Sequence, residues 1–287
     1  MPFRFVLSAL ILSVFSTSWL AHPQERVVSL GGDLTEIIYA LGEGDRIAAT
    51  DTTSVYPLKA LTTKKVGYVR QLSAEGVLSV EPDLILISGA AGPETALAQI
   101  RSVGVDIIEM DTAYTIESII DKTRRVAKAL GVEEKGEELV AKIDADWAEA
   151  AARIDALDLD PTVLFFSTVG DGTAMAAGSE TAADGVIRLL GGENIFDERT
   201  GYKPISLEAA VAADPDIILI MNHNVARAGG LDKMTSHPAI SLTTAASTGK
   251  VFVIDTVRVM QFSPRTPKAL ADLAEEIEAV LSQNAEG

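Results

Sequence analysis

Tyr68 and Arg70 stand two residues apart in the stretch Val66-Gly67-Tyr68-Val69-Arg70-Gln71-Leu72-Ser73. A phenol is a hard oxygen donor, but in water it keeps its proton up to a pKa of about 10. A phenolate at neutral pH therefore needs a neighbouring cation or a metal ion. Arg70 can supply the positive charge. Ferric iron, a hard acid, favours phenolate oxygen, and Tyr is one of the side chains that ligate haem iron. The same residues have a plainer reading, in which Tyr68 packs at a domain edge and Arg70 pairs with a surface acid. On residue chemistry alone both stay open, and the plainer one is the simpler.

Other chemistries find little support. The chain has no Gly-x-Ser-x-Gly elbow, P-loop, Gly-x-Gly-x-x-Gly fingerprint or His-Glu-x-x-His pair. An α/β enzyme would lack a recognisable nucleophile or acid–base set. Only three His are present, His22, His223 and His237, the last two in expected loops. A His-rich zinc or manganese site is therefore not expected.

The elements that must position Tyr68 and Arg70 are written twice. Leu72–Ile87 recurs as Ile205–Ile220, with seven of sixteen positions identical and no gap. Each copy reads as a capped helix, a Pro-Asp turn and a buried strand. A duplicated unit of this kind predicts two similar lobes with a cleft between them, where a ligand would sit. Glu75 and Glu208 hold equivalent places in the first helical turns, where the helix macrodipole favours acids. Asp83 and Asp216 are read as structural turn residues. Ahead of the second copy stands Gly201-Tyr202-Lys203-Pro204, nearly symmetric with Gly67-Tyr68. Tyr202 either faces the cleft or packs as structure.

Along the chain, short apolar runs alternate with helical stretches, as in α/β architectures. Strands are expected near residues 26–30, 47–50, 84–88 and 106–110. A helix capped by Asp33 or Thr35 ends at Gly42, and further helices span 93–103 and 116–130. Residues 133 to about 157 form a long, charged, Ala-rich run with no Gly or Pro after Gly136. It is read as a connector between lobes, the alternative being a surface helix within one domain. The expected fold is α/β, two similar Rossmann-like lobes joined by one long connector helix. The expected divisions are a signal peptide over 1–21, a first lobe over 22–130, the connector over 131–158 and a second lobe over 159–287.

The opening segment carries Arg4, an apolar run from Phe5 to Phe15, then small residues, the pattern of a secretory signal peptide. No Cys follows to take a lipid anchor, and with no Cys anywhere the protein must be held by burial rather than disulfides. A net charge of −17 argues against nucleic acid or anionic membrane as a partner.

Four segments together resemble a known family: Arg26-Val-Val-Ser-Leu-Gly-Gly-Asp-Leu-Thr-Glu-Ile-Ile; the stretch Val66–Ser79; Ala176-Ala-Gly-Ser-Glu-Thr-Ala-Ala-Asp; and Gly191-Gly-Glu-Asn. The resemblance is to the periplasmic haem-binding proteins of bacterial haem-uptake ABC transporters. It also takes in the wider rigid-helix binding proteins for cobalamin and ferric siderophores. It implies that ferric haem b is a transported ligand, that Tyr68 is its axial iron ligand, and that Arg70 hydrogen-bonds the Tyr68 oxygen. Arg227 is the counterpart of a second Arg that some relatives place beside that Tyr. Lys203, Arg227 and Arg258 are candidates for the haem propionates, since charge-assisted hydrogen bonds are comparatively strong. Some relatives add a His ligand just before Ala176-Ala177-Gly178. This chain has none there; Met175 stands closest and is carried as a cleft residue. Five-coordinate haem through Tyr68 is expected. The resemblance further implies that Glu75 and Glu208 dock on an ABC permease dimer, with an outer-membrane haem receptor system as an indirect link. Cobalamin or ferric-siderophore carriage is the rival reading.

Overall fold

Each copy of the repeat folds as its pattern predicts. Ser73 Oγ accepts the N–H of Gly76 at the start of helix Ala74–Leu78, and Ser206 Oγ accepts that of Ala209 at the start of Leu207–Ala213. A hydroxyl there satisfies a donor that has no partner within the helix. The two turn aspartates act alike: Asp83 Oδ2 accepts the N–H of Arg26, and Asp216 Oδ2 that of Thr162, both at 2.9 Å. Each bond ties the turn to the start of the neighbouring strand. The computed structural model describes residues 26–169 and 174–286. The signal-peptide segment falls outside the described residues.

The first sheet contains β1 (Val27–Leu30), β2 (Ile47–Thr50), β3 (Lys64–Lys65), β4 (Leu84–Ile87) and β5 (Asp106–Glu109). Its order is β3-β2-β1-β4-β5, with every pair parallel. The second sheet contains β6 (Thr162–Thr168), β7 (Ala174–Ala177), β8 (Glu193–Asn194), β9 (Tyr202–Ile205), β10 (Ile217–Met221) and β11 (Val251–Ile254). Its order is β11-β10-β6-β7-β9, with β8 beside β6. The repeat strands β4 and β10 lie inside their sheets. Ile85 and Ile87 enter one core cluster while Leu84 and Leu86 enter another, and Ile218 and Ile220 oppose Ile217 and Leu219 in the same way. Burial on both faces explains why the repeat ends in an unbroken apolar run.

The lobes differ at one edge. β7 runs antiparallel to both β6 and β9, so Tyr202 opens a strand, whereas Tyr68 lies in a loop after β3.

The long helix Glu133–Ala156 separates the two sheets in sequence and packs along helix Ile116–Leu130 and the terminal helix Thr266–Glu286. It does not cross alone. Ile116 and Ile119 belong to the second-lobe core, whereas Val126, Ala127 and Leu130 of the same helix belong to the first-lobe core. The two helices touch closely at Gly136, where an added Cβ would stand 2.5 Å from Ala127 Cβ.

One local expectation is corrected. Helix Gly32–Ala40 is not capped by Asp33 or Thr35; Gly31 is the N-cap residue, at φ 145°, and makes no side-chain cap. Its opening amides are met from the next loop, Gly31 N–H by Asp51 Oδ1 at 3.0 Å and Gly32 N–H by Thr53 Oγ1 at 3.2 Å. Asp33 is thereby left to face Lys122 instead.

Candidate ligand-binding cleft

All strands of the first sheet are parallel, so the loops leaving their C-terminal ends converge on one side. Those loops, represented by Gly31, Thr53, Ser88 and Tyr114, form one wall of a cavity of about 280 Å³. The facing wall comes from the second lobe: Ala182, Tyr202 and the segment around Met260–Phe262. The cavity therefore lies between the lobes.

Tyr68 and Arg70 both line it. Their turn is held by three buried anchors, Val66, Val69 and Leu72, between which Tyr68 and Arg70 project outward. Gly92 clamps the turn, donating its N–H to the Val69 carbonyl at 2.9 Å and accepting from Leu72 N–H at 2.8 Å. The turn itself closes by Gln71 N–H donating to the Tyr68 carbonyl at 2.8 Å. Gly67 enters it at φ 114°, a conformation that side chains other than glycine's resist. The Tyr68 side chain is 41% exposed, at the mouth of the cleft. Among the described residues Arg70 has neither an ion pair nor a hydrogen bond, and none joins it to Tyr68. Its charge is felt instead by Tyr114 and Tyr202, whose ionisation it favours.

Tyr202 lies deeper. Burial pushes its phenol up to about 12, with the neighbouring Tyr114 adding to the rise and Arg70 and a hydrogen bond with Thr181 opposing it. Burial also pushes the Tyr114 phenol up. Both are held as neutral phenols, donors suited to carboxylates rather than anions suited to iron. At the base lies Phe262, 1% exposed, in the left-handed backbone region at φ 51°. Its carbonyl accepts from the buried Lys122 Nζ at 2.9 Å, and Lys122 also donates to Asp33 Oδ2 at 2.7 Å. A second clasp joins the lobes beside it. Arg265 makes a bidentate contact with Glu36 at 2.7 and 2.8 Å, and Ser263 Oγ donates to Glu36 Oε1 at 2.7 Å.

The remaining expected residues lie elsewhere. Arg227 is exposed on helix Asn222–Ala228 and does not line the cavity. Met175 shares a sheet face with Ala177, opposite Pro204 and Tyr202, but also falls outside the lining. Lys203 is exposed in β9, and Arg258 is engaged with Asp272 at 2.6 Å. Glu75 and Glu208 are exposed in the first turns of their helices, without side-chain partners among the described residues. Sequence reasoning missed Tyr114, Lys122 and Phe262. Lys122 left a trace, since it stands on the buried face that carries the apolar residues Ile116, Ile119, Val126 and Leu130. Tyr114 and Phe262 are brought to the cleft by loop geometry alone. Among the described residues no group of three or more His, Asp or Glu could hold a metal ion, and no helix is long and apolar enough to cross a membrane.

A two-lobed α/β protein with an interlobe cleft is the architecture of substrate-binding proteins. The chain belongs to the periplasmic binding protein family, whose model matches residues 27–257. Members of this family are substrate-binding proteins rather than enzymes. Among solved structures, the chain is similar to the periplasmic heme-binding protein BhuT in complex with two hemes, at 37% identity and a TM-score of 0.85, covering 90% of this chain and 99% of that one. Among curated relatives, it is 26% identical to YvrC, an uncharacterized ABC transporter substrate-binding lipoprotein of Bacillus subtilis, over 88% of this chain and 80% of the relative. It is also 24% identical to the vitamin B12-binding protein of Vibrio parahaemolyticus, over 93% and 94% of the two chains.

Proposed function

We propose that the protein is an exported carrier that takes ferric haem in the periplasm and delivers it to an ABC-type importer. The observation that carries this reading is Tyr68 beside Arg70 on a clamped turn at the mouth of the cleft, both lining its cavity. Tyr68 supplies the axial oxygen to iron. Coordination to ferric iron replaces the phenol proton, and the guanidinium of Arg70, which has no ion pair among the described residues, favours the resulting anion. Partly exposed apolar lining residues such as Val257 and Met260 suit the faces of a flat macrocycle, while the neutral phenols of Tyr114 and Tyr202 can donate to its carboxylates. A single anionic oxygen ligand favours the ferric state and can be displaced when the cargo is passed on.

Glu75 and Glu208 serve delivery rather than capture. They occupy equivalent places in two lobes, stand exposed and lie outside the cleft. A pair of equivalent acids suits a two-fold permease dimer that presents basic residues.

Similarity to a vitamin B12-binding protein supports a second reading, in which the cargo is a corrinoid. Titrating the purified protein separately with ferric haem and with cyanocobalamin, followed by absorbance, decides between them. Saturable haem binding with weaker or no cobalamin binding is expected; the reverse order would replace haem with a corrinoid as the cargo.

A further inference from the structure

Tyr114 is a first-lobe residue seated in the second lobe. It follows β5 on a loop fixed from below by Gly89, where an added Cβ would meet Thr112 Oγ1 at 2.2 Å and the Met110 carbonyl at 2.7 Å. From there its side chain packs on the second-lobe core. Its ring lies 5.2 Å from that of Phe262, tilted by 58°. The seat exists because helix Ala182–Leu189 carries Gly185. An added Cβ there would stand 2.4 Å from Tyr114 Cβ, 2.8 Å from its carbonyl oxygen and 2.9 Å from Phe262 Cζ. A close approach of this kind leaves no slack, so the position of the ring is set by both lobes at once.

The ring also lines the cleft. Exposure falls from Tyr68 at the mouth, through half-buried Tyr114, to fully buried Phe262. We propose that Tyr114 is a specificity-determining residue, whose ring, keyed between Gly185 and Phe262, sets how far a flat ligand enters the cleft behind Tyr68. This inference rests on the reading that the cleft takes haem. A planar porphyrin edge meets the ring and stops with its iron at Tyr68. A corrinoid, whose macrocycle edge carries bulkier amide side chains, needs the space the ring fills. The protonated phenol contributes a donor at that depth, but the selection is steric.

The test compares wild type, Tyr114→Phe and Tyr114→Ala for binding of ferric haem and of cyanocobalamin, with the haem spectrum recorded for each. Tyr114→Phe keeps the ring and removes only the phenol donor, so it is expected to lower the ratio of the two affinities by less than loss of the ring does. Tyr114→Ala is expected to lower the haem-to-cobalamin affinity ratio by about tenfold or more, the scale on which a changed pocket volume discriminates between ligands. Its spectrum should still report Tyr68 ligation. Tyr114→Leu gives the same readout if the alanine variant does not fold. An unchanged ratio in the alanine or leucine variant, with haem still bound, would overturn the role of Tyr114 alone. A wild-type protein that binds no haem would overturn the haem reading and this inference with it.

Discussion

Lys122 Nζ donates to the backbone carbonyl of Phe262, 140 residues away, at 2.9 Å. The bond joins a helix shared by both lobes to the floor of the cleft. The same ammonium group neutralises Asp33, so one buried cation fixes the helix after β1, the helix before the connector and the cleft floor together.

Removing that cation leaves the Asp33 carboxylate buried and uncompensated. Lys122→Met is expected to cost about 3–5 kcal/mol, as when one member of a buried pair is deleted. Adding Asp33→Asn should recover part of the loss. Urea unfolding curves of the two variants check this; a Lys122→Met protein as stable as wild type would show that the clasp contributes nothing.

Alkaline stability should follow the two deep phenols. Tyr202 is pushed up to about 12, and Tyr114 is shifted the same way. Each holds its proton more tightly when folded than when unfolded, where a phenol titrates near pH 10. Their contribution is therefore complete below about pH 10 and is lost as pH rises towards about 12. Tyr202→Phe should flatten that decline. Unfolding midpoints measured across this range would contradict the account if both proteins lost stability in parallel.

The contact between the two crossing helices makes a separate prediction. Gly136→Ala forces a methyl against Ala127 and should destabilise the protein by about 1–3 kcal/mol, the usual cost of overpacking. The double variant Gly136→Ala with Ala127→Gly should be more stable than Gly136→Ala alone. Thermal unfolding distinguishes this from the gain that a helical Gly→Ala change gives where there is space.

Delivery and capture should separate. Replacing Glu75 and Glu208 with Ala leaves the cleft untouched, so haem affinity is expected to stay within about twofold, as for surface changes. Uptake dependent on the cognate importer should fall. Loss of haem binding in the double variant would contradict the assignment of these acids to docking.

Much of this was legible because the repeat repeats its physics. The Ser cap, the Pro-Asp turn and a strand buried on both faces each left a residue-level mark, and β4 and β10 carry it in their sheets. Tyr68 and Arg70 could be noticed because a phenol and a guanidinium two residues apart can act together, but on residue chemistry alone simple packing explained them as well, and the family resemblance favoured the ligand reading. The cap of helix Gly32–Ala40 was misread because Asp51 and Thr53, some twenty residues away, supply what a local side chain usually does. Tyr114 and Phe262 escaped for the same reason: their proximity depends on the space left by Gly185 and on the positive φ of Phe262. Arg258 carried a plausible charge, but only the fold shows that Asp272 already takes it.

Tyr68 as the ligand to haem iron stands or falls on one spectrum. The direct measurement is the absorption spectrum of the protein with one equivalent of ferric haem, for wild type and Tyr68→Phe. A high-spin, Tyr-ligated spectrum in wild type that is lost or markedly shifted in Tyr68→Phe is predicted. The same haem spectrum in both proteins would contradict it.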